Sequence, residues 1–397
     1  MSAAHRFATV NANCLLSSNC SSQILEKRSS ATGAMEATAA TFGKHIGRWK
    51  MDFRSDNIAG ISHAIIDEII LANRGSGSSY SEDDQTREVE DTLRAIFECN
   101  LRFFPVLTGT AANALALACL TPPYGGIFCS DQAHVYYDEC AAPEFFTGGA
   151  KLIGLRGTDG RLEATMLDKT VERALQSGVH HSKPTTVSIS QATEVGTVYR
   201  PDKIEEISEV CKKFGLRLHM DGARFANALT FLGVTPAELT WKAGVDLLCF
   251  GGTKNGAFSA ESIVVFDGTL AGDLAYRIKR AGHLASKSRF ISAQWAAYLR
   301  NDLWLRNSEH ANAMAARLST GLSGRAGVKV VHATEANEVF VEVDACTMSL
   351  LERSGVQYGI WSRDQGNVLR FVTSFDTKRI DVDNCLAVFQ EAESAAI

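Results

Sequence analysis

No run of apolar residues in the 397-residue chain is long enough to span a bilayer. Nor does one sign of charge dominate. Lys and Arg number 40 against 45 Asp and Glu, a formal net charge of −5. A polybasic footprint for nucleic acid or an anionic membrane surface is therefore missing. Ten cysteines are scattered with no Cys-x-x-Cys spacing, so they read as buried reduced thiols in a reducing compartment. No Gly-x-Gly-x-x-Gly follows a strand, which argues against a dinucleotide fold. The P-loop pattern and His-Glu-x-x-His are also absent, which excludes a P-loop NTPase and a zincin. No metal ligand set is expected.

Residues 1–50 differ from the rest. They are rich in Ser and Ala, carry only Glu26 and Glu36 as acids, and have Arg6, Lys27, Arg28, Lys44, Arg48 and Lys50 as bases. They read as an organellar targeting segment or as a disordered extension, for a cytoplasmic or mitochondrial protein. The Asn19-Cys20-Ser21 triplet fits a glycosylation acceptor but reads as a chance match.

From Met51 onward the pattern is that of a folded chain, and 45% hydrophobic content suits one large domain plus a smaller one. "QTREVEDTLRAIFEC" puts Val89, Leu93, Ile96 and Phe97 on one helical face. "PDKIEEISEVCKKF" opens on Pro201 and aligns Ile204, Ile207, Val210 and Phe214. Between such helices lie short apolar runs at 126–130, 150–155, 185–190, 216–220, 245–250 and 261–266. The alternation predicts an α/β fold with a mostly parallel sheet covered on both faces. A single long helical stretch, "SRFISAQWAAYLRNDLWLRNSEHANAMAARLSTGL", leads out of it. The strand-like pieces "VKVVHA", "EVFVEV" and "NVLRFVTSF" then predict a small α+β unit. The expected organisation is an extension at 1–50, a large domain at 51–290 and a linking helix with a small domain at 291–397. Residues 51–80 are expected to pack near the small domain.

Ligands of such sheets bind at the carboxyl ends of the strands, and four features gather there. "DLLCFGGTKNGA" ends an apolar strand in a turn that holds Lys254 between Gly251, Gly252 and Gly256. An ordinary surface lysine is the plain alternative. "LRLHMDGARFANA" places Asp221 at a strand end with Arg224 three residues on. It could cap the next helix, but a buried carboxylate there needs a cationic partner. "PVLTGTAANALALACL" reads as strand, tight turn and helix, with Thr108, Gly109 and Thr110 at the turn. Free N–H groups at a helix start make an anion cradle. "DQAHVYYDE" carries His134 in a polar segment, either a surface histidine or a ring placed to stack on a cofactor. Together these are the parts that hold pyridoxal 5′-phosphate: an amine for a Schiff base, a carboxylate for the pyridine nitrogen, a phosphate cradle and a stacking ring.

These segments resemble the low-specificity L-threonine aldolases. "DFRSDN", "TGTAANAL", "HMDGARFANAL", "CFGGTKNG" and "RFVTSF" carry the resemblance, which runs from about residue 52 to the C-terminus. It implies the type I fold of pyridoxal-phosphate enzymes, with a mostly parallel seven-stranded sheet in the large domain. It implies that Lys254 carries the Schiff base, Asp221 holds the pyridine nitrogen and Arg224 contacts the phenolic oxygen. It implies that Gly109 and Thr110 hold the phosphate, His134 stacks on the ring, and Ser55 with Arg370 binds the substrate carboxylate. A homotetramer with sites at a dimer interface is implied, with Arg280, Lys287 or Arg289 reaching a neighbour's phosphate. The implied reaction cleaves L-threonine or L-allo-threonine to glycine and acetaldehyde. Racemisation of an amino acid such as alanine, or β-elimination, is the alternative on the same fold. One departure stands out: Gln191-Ala192-Thr193-Glu194 replaces the family's common Glu-Asn-Thr-His. Glu194 then becomes either the proton acceptor or a structural hydrogen-bond partner.

Overall fold

Seven short, strongly apolar segments pair into one sheet. The structure, a computed structural model, describes residues 51–361 and 368–395. The expectations for residues 1–50 lie outside that range. The strands in chain order are β1 (Met51–Asp52), β2 (Arg102–Val106), β3 (Gly125–Ser130), β4 (Lys151–Leu155), β5 (Lys183–Ser190), β6 (Arg217–Gly222), β7 (Leu247–Gly251) and β8 (Glu261–Val265). After them come β9 (Val328–Val330), β10 (Glu338–Val343), β11 (Val356–Gln357), β12 (Gly359–Ile360) and β13 (Val368–Val372).

The large sheet has the order β2-β8-β7-β6-β5-β3-β4. Strands β4, β3, β5, β6 and β7 pair in parallel, and the central ones are buried almost throughout, as strands covered on both faces are. β8 runs antiparallel to both β2 and β7. Only residues 252–260 separate β7 from β8, too short a link for a crossover helix, so the chain turns back on itself. This reversal brings Glu261, the first residue of β8, to the edge where β2, β5, β6 and β7 end.

The helices follow the apolar stripes. Asp83 caps helix Asp84–Phe97 by accepting from the Thr86 N–H, and Val89, Leu93 and Phe97 are buried, with Ile96 half-buried. Helix Pro201–Phe214 ends at Gly215 with φ 68°, the left-handed geometry that glycine adopts without penalty. The long helical stretch after residue 288 is not one helix. It divides into Arg289–Leu299 and Leu303–Leu322, with Asn301 and Asp302 at φ 53° and 56° between them. Asn and Asp are the non-glycine residues that tolerate this conformation, so the apolar periodicity continues while the axis breaks.

β12-β13-β10-β9 form a separate antiparallel sheet. Its core holds Phe53, Leu318, Val339, Val341, Leu369, Phe371 and Phe389. β1 pairs in parallel with β11, and Phe53 exchanges backbone hydrogen bonds with Gln357 and Val372. The cysteines are less uniformly buried than expected. Cys129, Cys211, Cys249 and Cys385 are buried, but Cys140 and Cys346 are exposed; none of the eight described is paired. Cys140 lies in a loop and Cys346 on the solvent side of a helix, where nothing apolar covers them.

Candidate active site

β7 is buried at every position and ends at Gly251. A tight turn, Thr253–Asn255, then presents Lys254. The turn is held from behind by the broken helix pair. Asn255 Nδ2 donates to Tyr298 Oη and to the Trp304 carbonyl, each at 2.8 Å, and Asn307 Nδ2 donates to the Asn255 carbonyl at 2.8 Å. The glycines around Lys254 are needed by the protein itself rather than by an approaching ligand. A Cβ on Gly251 would lie 2.9 Å from the Ala223 carbonyl, and one on Gly252 would lie 2.8 Å from the Ala260 carbonyl. Gly256 also has φ 109°.

Lys254 lines two adjoining cavities of about 60 and 370 Å³ that share His134, Glu194 and Arg224. The smaller also exposes Gly109, Thr110, Asn113 and Asp221. The larger also exposes Ser55, Asn57, Asp138, Glu338, Trp361 and Arg370. All nine residues singled out in the sequence therefore meet around one space, although Arg370 belongs to β13 of the small sheet and Ser55 to the segment after β1.

Asp221, buried at the end of β6, accepts from the Ala223 N–H at 3.0 Å and from Asn113 Nδ2 at 2.8 Å. Both donors are neutral, and none of the described Lys or Arg side chains forms an ion pair with it. Helix Gly109–Leu120 starts at the cavity, with Thr108 as its cap. The first-turn N–H groups have no partner within the helix and carry its positive dipole end. Glu261 lies close by: its Oε2 would be 4.0 Å from a Cβ on Gly109. Burial raises its carboxyl to about 7, which limits repulsion of an anion there.

His134 opens the short helix His134–Tyr137. Its backbone N–H donates to Glu194 Oε1 at 2.7 Å, and its Nδ1 lies 2.9 Å from Glu139 Oε1. Glu194 Oε1 also accepts from Ser190 Oγ at 2.6 Å, while its Oε2 is buried without a partner. Burial raises the Glu194 carboxyl above the usual range. One oxygen is thus structural and the other is unengaged.

Arg224, expected to contact the phenolic oxygen, lines both cavities and is held there by two carboxylates. Its Nε and Nη2 donate to the two oxygens of Asp56 at 2.8 and 3.0 Å, and Nη1 lies 3.3 Å from Glu338. Arg370 lies 3.8 Å from the same Glu338, sits over the Trp361 ring at 5.7 Å, and remains 27% exposed toward the larger cavity. Ser55 accepts from the Asn57 N–H at 3.1 Å. Arg280 lines a different groove and Arg289 reaches the Gly75 carbonyl, so neither lines the two cavities at Lys254.

Sequence reasoning missed Asn113, Glu139, Asp56 and Glu338. Asn113 lies one turn after Thr110 and Glu139 five residues after His134, a spacing that could have suggested them. Asp56 and Glu338 come from opposite ends of the chain and meet only in the fold.

His134, Glu139 and Asp221 bring potential ligand atoms within 4.8 Å of one another. Yet Asn113 donates into both carboxylates and the imidazole faces one, so hydrogen bonds already fill the positions a cation would take. A pyridinium fits better. The buried Asp221 lacks a cationic partner among the described Lys and Arg side chains, a helix start offers N–H groups to an anion, and Lys254 lines the same cavity. Fold and site define an α/β enzyme of the pyridoxal-phosphate-dependent class. The Beta-eliminating lyase family profile matches residues 52–346, and the chain belongs to that family. It is 44% identical over 343 residues to the low specificity L-threonine aldolase of a Pseudomonas species, covering 86% of this chain and 98% of that one. It is 45% identical to the protein of the same name from Pseudomonas aeruginosa, covering 82% of this chain and 93% of the relative. Among solved structures, a Leishmania major threonine aldolase superposes with a TM-score of 0.80 at 24% identity, covering 87% of this chain and all of that one.

Proposed function

We propose that this protein cleaves the Cα–Cβ bond of L-threonine and L-allo-threonine, releasing glycine and acetaldehyde. The observation that carries the reading is the meeting of Lys254, Asp221 and Arg370 around adjoining cavities. The two Pseudomonas relatives of the same name support it. Pyridoxal phosphate, when bound, supplies an electron sink for the pair released at Cα. Lys254 would hold its carbonyl carbon, Asp221 its ring nitrogen, and the Gly109–Thr110 turn its phosphate. Arg370, with Ser55, would bind the substrate carboxylate and so orient the bond that breaks. His134 or Glu194 would take the β-hydroxyl proton, through Nε2 of one or Oε2 of the other.

The chain is further read as one subunit of a homotetramer with sites at a dimer interface. Large exposed apolar side chains support this, among them Phe145 at 76%, Phe258 at 66% and Tyr276 at 81% exposure. Sedimentation equilibrium at four chain masses is the expected result; a monomer at micromolar concentration contradicts it.

The cleavage itself is tested by incubating purified protein and pyridoxal phosphate with L-allo-threonine. Glycine and acetaldehyde should appear in equal amounts. No aldehyde, with D-alanine formed from L-alanine, would overturn the reading in favour of a racemase.

A further inference from the structure

Glu139 is a buried carboxylate to which the reaction as described assigns no role. It is 3% exposed and forms no ion pair with a described Lys or Arg. Its Oε1 faces two nitrogens, His134 Nδ1 at 2.9 Å and Asn113 Nδ2 at 2.8 Å. Its Oε2 is buried with no hydrogen-bond partner. The other hydrogen of Asn113 Nδ2 reaches Asp221 Oδ2 at 2.8 Å. A single amide therefore bridges the carboxylate beside His134 and the carboxylate at the end of β6.

Counting donors gives the imidazole tautomer beside an ionised Glu139. An ionised carboxylate only accepts, so the Nδ1 facing Oε1 is the donor, and the lone pair of the neutral ring lies on Nε2. Glu194 fixes the backbone of the same residue, so the ring is held from two sides while it lines both cavities.

We propose that Glu139 is a positioning residue, which holds His134 as the Nδ1–H tautomer with Nε2 free to take the substrate's hydroxyl proton. Asn113 ties this pair to Asp221. The role of Nε2 rests on the aldolase reading; the tautomer does not. The hydroxyl proton passes to Nε2 while the O–H pair becomes the aldehyde C=O bond. The Cα–Cβ pair leaves with the glycine fragment, which takes up a proton afterwards.

The charged groups around the ring are Asp138 and Glu139 on its own segment, Glu194 after β5, Asp221 at the end of β6 with Arg224 just after it, and Lys254 after β7. Burial opposes charging of the ring, but the Glu139 hydrogen bond and the charges of Asp221 and Glu139 outweigh it. His134 is raised above the ordinary histidine value. Glu139 is itself raised, first by burial and then by Asp221.

The test is histidine ¹⁵N NMR on the holoenzyme, with His134 assigned by the signals that His134→Gln removes. Wild type should titrate to a form with a protonated Nδ1 and a bare Nε2. In Glu139→Gln the His134 midpoint should fall by about one pH unit. The acid limb of aldehyde release should move with it, and kcat should drop about 10- to 100-fold. Glu139→Asp should recover part of both. An Nε2–H tautomer in wild type, or a midpoint unmoved in Glu139→Gln, overturns the inference. If Glu139→Gln does not fold, the wild-type tautomer decides alone. Absence of aldehyde release alongside the Nδ1–H tautomer would overturn the aldolase reading and the catalytic half of the inference, but not the tautomer.

Discussion

His219 shows how closely the floor of the site is packed. It is fully buried two residues before Asp221, with Nδ1 2.9 Å from Ser188 Oγ and Nε2 3.2 Å from Cys249 Sγ. Burial lowers it to about 4, against about 6.5 in the unfolded chain. Between those values the unfolded chain binds a proton that the folded one refuses. Its contribution is therefore complete above pH 6.5 and is lost as pH falls toward 4, by about 3 kcal/mol at most. Urea unfolding at pH 7 and pH 5 should show a smaller pH difference in His219→Gln than in wild type. At Arg370 the prediction is kinetic: Arg370→Lys keeps the charge but loses the fork, and KM for threonine should rise about tenfold or more with cofactor retained. Lys254, Asp221, His134 and Arg370 were legible because each is a chemically distinctive residue beside a strand end or in a familiar motif. Asn113 and Glu139 were not, because an amide and a carboxylate near helix starts usually cap or solvate. Only the 2.8 Å contacts show otherwise.

Elements hold these residues at their distances through backbone contacts that leave no room. A Cβ on Gly222, the last residue of β6, would lie 2.6 Å from the Cys249 carbonyl and 2.6 Å from Leu248 Cδ1. Gly222→Ala should cost about 1–3 kcal/mol and weaken cofactor retention, since β6 carries Asp221 and β7 leads to Lys254. A calorimetric scan with and without pyridoxal phosphate measures both. The strands and most helices were readable because apolar period and length mark them. The antiparallel setting of β8 was not, because a buried run looks the same in either direction. The break at Asn301–Asp302 was hidden for a related reason: the apolar stripe resumes in phase on the far side. That break lets Tyr298 and Trp304 reach Asn255 together.

At the scale of the whole molecule, the site forms where β13 of the small sheet and the segment after β1 meet the carboxyl edge of the large sheet. Ser55 and Arg370 stand 315 positions apart in the chain (370 − 55) yet share a cavity with Lys254. A pattern of local periods cannot encode that meeting, and only the family resemblance anticipated it. Asp56, Arg224, Glu338 and the partly exposed Arg370 form a charge network across the same boundary. Removing Glu338 takes one carboxylate from Arg370 while Arg224 keeps Asp56, so Glu338→Ala should destabilise the fold by about 1–3 kcal/mol, read from the urea midpoint. The family match begins at residue 52. A chain lacking residues 1–50 should therefore release acetaldehyde at a rate within about twofold of the full chain.

The central claim is that Lys254 makes this a pyridoxal-phosphate aldolase. The direct measurement compares wild type with Lys254→Ala for acetaldehyde release from L-threonine and L-allo-threonine, alongside the visible absorption of the bound cofactor. Wild type should show both, and the variant should lose both. Aldehyde release that persists in Lys254→Ala, or is absent from wild type that shows the cofactor's absorption, would contradict it.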